Sequence, residues 1–517
     1  TTNVAGLTSS QLSNLNTTQV AGLATATVNA MTTTQMQAFT STQVAKLDTS
    51  VIANLKTSQV AALKTDQVAA LTTNQIEALT TTSVAKLDTT QLTALTTTQV
   101  PKLSSNQVSN LSTAQVAALT TAQIATVNTS AFAAMSTAQI NALTTSQVAA
   151  MSTNQVVSLT TAQVAAVTTT QLQALNQAQV RTLESAEVAV LSTTQLQSLS
   201  ANQFKAFGTE DVAALTTAQV AALTTDQVQA MSPANVAALS TGQVAAITST
   251  QLQSLTNATV AGLSSTQVQA LTTGQMQALT TGQVRSITTA AVAVLNTTQV
   301  NAMTTTQVKA LTETQVAALS TTGVSGLRTA QMAALTTDQL VSLTTGSVAT
   351  LTTTQLAALS TSQVRGISTA GVAAMTSTQT TTLSTTNLAA LTTDQIKSLT
   401  TGNVSTLGTT QVKAMTSDQI AVLTTAQLQS LSTSQVQAID TADVAALTSN
   451  QIKALSTSSL SGMTTTQVAA LTSEQITSVA TAALAGMSTA QVAALTTGQV
   501  AALGATQVQA LETADVA

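Results

Sequence analysis

Cysteine, histidine, tryptophan and tyrosine are all missing from this 517-residue chain. Without cysteine there is no disulfide and no thiolate nucleophile, and without histidine there is no imidazole acid–base catalysis and no histidine-based metal site. Aromatic residues amount to 1%, all phenylalanine, and charged residues to 6%, giving a net charge of −4. With no basic stripe and no surface of aromatic rings for base stacking, nucleic acid is excluded as an expected partner. The apolar runs are only a few residues long, as in Val292-Ala293-Val294-Leu295, so no segment is expected to span a bilayer.

What is present is a period. Stepping by eight from Val4 gives Leu12, Val20, Val28, Met36 and Val44, and the series continues through Val508 to Val516 with one clear polar exception, Thr380. Stepping by eight from Leu7 gives Leu15, Leu23, Met31, Phe39 and Leu47, and so on to Leu503 and Leu511. The unit is approximately Leu-Thr-Thr-x-Gln-Val-x-Ala, about 65 copies without a slip of register. A fixed short period marks a stacked architecture, because one unit cannot bury its own apolar face. Composition never shifts along the chain, so residues 1–517 are read as one continuous array without separate domains.

Number the octad from its first Thr as position 0, so that Gln is 3, Val is 4, the small residue is 6 and Leu is 7. Thr or Ser at 0 with Gln at 3 is a capping box, in which the hydroxyl accepts from the backbone N–H at 3 while Gln reaches back to the cap's own N–H. It recurs in most octads, as in Thr216–Gln219 and Thr224–Gln227. The rare charges agree. Seventeen of the eighteen acids stand at positions 0 to 3, among them Asp226, Asp338, Asp394 and Asp418, with Glu77 at position 5 the exception. Eleven of the fourteen bases stand at 5 or 6, while Lys56, Lys64 and Arg328 stand at 0. Acids at the start and bases at the finish suit the helix dipole, by about 0.3–1 kcal/mol each. One short helix per octad is therefore expected.

Positions 4 and 7 share a helical face, but a period of eight would rotate that face by roughly 80° per unit in one continuous helix. The helix must break at each Thr-Thr pair. Pro233, at position 1, suits the first helical residue. Pro101, at position 5, should cost its unit an internal hydrogen bond. Position 6 is mostly Ala with Gly, Ser, Asn or Thr and an occasional Val or Lys. Either neighbouring backbones approach closely there, or Ala serves only as a good helix former. The expected fold is all-α: a solenoid of very short helices around a single axial Val/Leu core, with an outer surface of Thr, Ser, Gln and Ala. The number of octads per superhelical turn is left open.

Strings such as Leu215-Thr216-Thr217-Ala218-Gln219-Val220-Ala221-Ala222-Leu223 resemble the Thr/Gln-rich octapeptide tracts of very large secreted bacterial surface proteins. The resemblance implies an extracellular structural or adhesive role and carries over no catalytic or binding residue. The chain opens on Thr1 and stops within an octad at Ala517; it is read as a stretch of a longer array whose export signals and end caps lie elsewhere. The expectation is a structural protein forming a filament, sheath or matrix fibre, with itself as partner and cell-surface glycans as a further one. The alternatives are the stalk of a giant adhesin, or a Thr-rich rod binding ice or polysaccharide. No enzyme, cofactor, metal site or catalytic residue is expected. The acidic pairs Glu210-Asp211 and Glu184…Glu187 fall in caps and first turns, where the dipole accounts for them.

Overall fold

A computed structural model of the chain describes residues 2–512; Val516 and Ala517, at the end of the periodic series, lie outside them. Every octad between these limits forms one short helix, and the described residues contain no strand. In the octad 216–223 the helix is Thr217–Ala222, capped by Thr216 in an extended conformation (φ −71°, ψ 160°). The N–H of Val220 donates to the carbonyl of Thr216 at 2.9 Å, and that of Leu223 to Val220 at 3.2 Å, so the last turn tightens. Leu223 is then non-helical (φ −55°, ψ 144°). The break thus falls at the Leu and the first Thr; the second Thr is already the first helical residue. No described residue has positive φ, so the chain turns at every octad without any glycine-dependent conformation.

The two prolines behave according to position. Pro233 opens the helix Pro233–Ala238, where its missing N–H would have had no partner. Pro101 lacks the N–H that other octads use at position 5, for example Ala85 to Thr81 at 3.0 Å. Its octad forms only a 3-10 turn, Val100–Lys102.

The chain falls into two compact units, Thr1–Gly262 and Leu263–Ala517. In the first, Ser105–Ser109 packs on Thr129–Ala134 and Ser185–Ala189 on Thr209–Ala214. In the second, Thr305–Ala310 packs on Thr329–Ala334 and Thr369–Ala373 on Thr393–Ser398. Each pair is three octads apart, so each unit is a solenoid in which a turn takes between three and four octads. Positions 4 and 7 line its axis: Val116, Leu119, Val308 and Leu311 are all buried. Thr380 joins them fully buried, its hydroxyl donating to the carbonyl of Thr376 at 2.9 Å. That bond lets a polar side chain occupy an apolar place at small cost.

Turn-to-turn spacing decides the question at position 6. A Cβ added to Gly326 would lie 2.9 Å from Cα of Thr297, and one added to Gly366 would lie 2.9 Å from the Thr337 carbonyl oxygen. At these glycines the backbones do approach closely, 29 residues apart, whereas Lys46, Lys86, Lys102 and Val190 occupy position 6 elsewhere. The core is not filled evenly. A cavity of about 20 Å³ lies among Ile140, Leu143, Val148, Leu159, Val167 and Leu175. Val167 stands where most octads carry Leu, and its lining is apolar, so the space stays dry. Val167→Leu is expected to gain up to about 0.8 kcal/mol, one methylene's worth. Slower hydrogen exchange over residues 140–175 would report it, and faster exchange would mean overpacking.

Candidate functional site: the glutamine ladder between turns

Glutamine at position 3 does more than close the capping box. In the octad of Gln147, Oε1 accepts the N–H of Thr144 at 2.7 Å, and the hydroxyl of Thr144 accepts the N–H of Gln147 at 3.2 Å. The amide nitrogen points the other way, down the solenoid. It donates to the carbonyls of Val116 at 3.0 Å, Ala117 at 3.3 Å and Leu119 at 2.6 Å, which end the helix four octads earlier. The same reach of 28 to 31 residues recurs through both units, from Gln43 to Leu12 and Leu15 to Gln499 on Val468 and Leu471. The Val116 carbonyl already accepts the N–H of Leu119 at 3.2 Å, whereas the Leu119 carbonyl lies past the helix end, where a buried carbonyl left alone is costly. One side chain therefore seals the start of one helix and the end of another.

Glutamine is consequently interior. Gln67 and Gln331 are fully buried and Gln147 is 2% exposed, which corrects the expected surface of Thr, Ser, Gln and Ala. Position-3 Gln leaves it; in the octad 216–223 the exposed residues are Thr216, Thr217, Ala218 and Ala221. A capping box already accounts for Gln at position 3, so the sequence gives no local hint of its second bond.

Some octads lack this glutamine. After Asn3, those of the first unit are marked by Thr27, Val51, Ser83, Ala131, Glu187, Asp211, Asn235 and Thr259. Successive members are separated by 24, 32, 48, 56, 24, 24 and 24 residues, by subtraction of those numbers. Among the described residues of the second unit Ala291, Gly323, Ser347, Gly371, Asn387, Asn403, Asp443, Ser459 and Ala483 follow, the first four at 32, 24 and 24 and the rest at 16, 16, 40, 16 and 24. Steps of three or four octads are one turn, so in these stretches the missing glutamines recur turn after turn on one side. Shorter side chains reach part of the way: Asn387 and Asn403 donate to Leu359 at 3.1 Å and Met375 at 2.9 Å. At Ala131 the cap residue Asn128 takes over and donates to Leu103 at 3.0 Å.

The charges take their expected places at helix ends, and the turn explains two of the exceptions. Glu77 pairs with Lys102 at 3.2 Å, 25 residues on. Arg328, at position 0, donates to the carbonyl of Met303 at 3.1 Å. Asp88 caps the helix Thr89–Ala94, and the hydroxyl of Thr90 and the N–H of Gln91 hold its pKa below the usual carboxylate range. Glu210 and Asp211 lie in the first turn of Thr209–Ala214, and Glu187 in that of Ser185–Ala189. Glu184, Glu210 and Asp211 meet at one open cleft beside Arg181 and Ser185. Burial pushes the pKa of Glu187 up; the N–H of Glu184 opposes this and the Glu184 carboxylate adds to it. Among the described residues no group of three or more acidic residues is placed to hold a metal ion, and no helix is long and apolar enough to cross a membrane.

The recurring short helix, axial core and inter-turn ladder define an all-α solenoid built from octapeptides. The ALTTAQ repeat profile matches the chain in overlapping segments that together cover residues 44–153, 180–345, 348–385 and 388–505. The chain belongs to the ALTTAQ repeat family. No curated protein matches it.

Proposed function

We propose that this array is a structural, non-catalytic component outside the cell, forming a filament, sheath or matrix fibre through association of like solenoids. The observation that supports it most is the uniform joint between turns. Most octads commit two apolar side chains and a glutamine to the neighbouring turn, as those of Gln43 and Gln499 do near opposite ends of the described residues. That leaves Thr, Ser and Ala outside, with few charges to keep copies apart. Such a surface favours side-by-side association of copies, and its hydroxyls suit cell-surface glycans. Nucleic acid has no basic surface to bind. Purified chain imaged by electron microscopy over a range of concentrations is expected to give fibres or lateral bundles. Dispersed monomers at every concentration would remove self-association and leave the stalk of an adhesin as the better reading.

A further inference from the structure

Glu187 stands in a glutamine's place with a glutamine's length. One oxygen does the expected work, accepting the N–H of Glu184 at 2.9 Å. The other terminal atom is the one that, throughout the ladder, donates to carbonyls 31 and 28 residues back. Here those carbonyls belong to Val156 and Leu159. An ionised carboxylate has no proton to give them. The core registers this at the residue concerned. Between Met31 and Met487, Leu159 is the one position-7 side chain that is not buried, and it lines the cavity described above. Asp211 and Asp443 also replace Gln but are one methylene shorter, and the position-7 residues 28 before them, Leu183 and Met415, remain buried.

We propose that Glu187 is a protonation-controlled joint between turns: ionised, it holds the end of the octad at Leu159 open; protonated, its hydroxyl donates to the Leu159 carbonyl and closes the turn as glutamine does elsewhere. The proton comes from solvent and no other bond changes. The surroundings favour its uptake. Glu184 faces Glu187 from the same octad, and Thr209–Ala214, which packs against it, brings Glu210 and Asp211. The other packed helix, Thr161–Ala166, and the helix Thr153–Val157 that precedes the open carbonyl carry no titratable residue. Arg181 is the cation at the shared cleft. Burial also raises the carboxyl's pKa, as stated. A pKa raised on folding contributes stability that is present in full below the ordinary carboxyl pKa and is lost as pH rises through the raised one.

The test is hydrogen exchange by mass spectrometry on the full chain between pH 4 and 7.5, corrected for intrinsic exchange rates. In the unsubstituted chain, amides around 156–160 and 184–190 are expected to lose about fivefold to tenfold in protection across that range, the effect of losing one buried hydrogen bond. Glu187→Gln should hold the acid-side protection at every pH. Glu187→Ala should show a protection that does not change with pH. Glu184→Gln should keep the transition and move its midpoint down. A flat profile in the unsubstituted chain, or a pH dependence retained in Glu187→Gln or Glu187→Ala, would overturn the proposal.

Discussion

Deleting four residues from the middle of either unit, for instance 113–116, is expected to split that unit, whereas deleting the eight residues 112–119 leaves it intact. The difference follows from the joint. A whole-octad deletion brings new octads to the three- and four-octad spacings, but every octad offers the same Val, Leu, Gln and carbonyls, so the joints re-form. A half-octad deletion puts position 0 where position 4 should be. Each helix pair that spans the cut then meets with a polar face against an apolar one and with glutamine out of reach of its carbonyls. About three octads lose their partners at once, a loss on the order of 10 kcal/mol at 3–6 kcal/mol of apolar burial each. Calorimetry and limited proteolysis read it: a second transition and a new cut near the deletion for the half octad, neither for the whole octad. Stacked repeats unfold by segments, so a split transition is the appropriate signature. Equal behaviour of the two deletions would defeat the register argument.

How much of this was legible follows from how far each interaction reaches along the chain. Thr216 and Gln219 are three residues apart and announce a cap; Val220 and Leu223 announce a shared face; Pro233 announces a first turn. All are local, and the structure has them so. The ladder is different. The bonds from Gln147 to Val116 and Leu119 span 31 and 28 residues, and that span is set by how many octads make a turn. Nothing within one octad encodes that number; it emerges from the angle at each Leu-Thr junction and the size of the axial side chains. The same holds for Glu77 with Lys102 and for Gly366 against Thr337. Their spacings of 25 and 29, by subtraction, become intelligible only once the turn is known. A glutamine that already had a sufficient local role therefore concealed a second, longer-range one. The hint available was excess: the hydroxyl at position 0 accepts the N–H of Ser347 or Gly371 as readily as that of Gln, yet Gln dominates position 3; Asn387 and Asn403 reach the turn below but close no capping box, and Gln has the length to do both.

Replacing one ladder glutamine isolates that second role. Gln147→Leu keeps the volume and the helical fit but removes both ends of the bridge. The N–H of Thr144 and the carbonyl of Leu119 lose their partner at a buried joint, while Val116 keeps the N–H of Leu119. The expected cost is about 2–4 kcal/mol at the usual price of unmet buried polar groups. Thr144→Ala, which removes only the cap hydroxyl, should cost about 1 kcal/mol. Gln147→Glu is the more informative change. Its carboxylate can still accept the N–H of Thr144, so the cap survives, while the downward bonds to Leu119 are exchanged for contact between oxygens. At neutral pH the joint should open as at Leu159, raising the exchange rate of amides near 116–120 and 147–150. Burial should lift the new carboxyl's pKa, as it does at Glu187, so acidification should restore protection as the added proton supplies the missing donor. A Gln147→Glu chain as protected at pH 7.5 as the unsubstituted one would mean that the amide nitrogen's bonds contribute nothing, and that the axial Val and Leu alone hold the turns together.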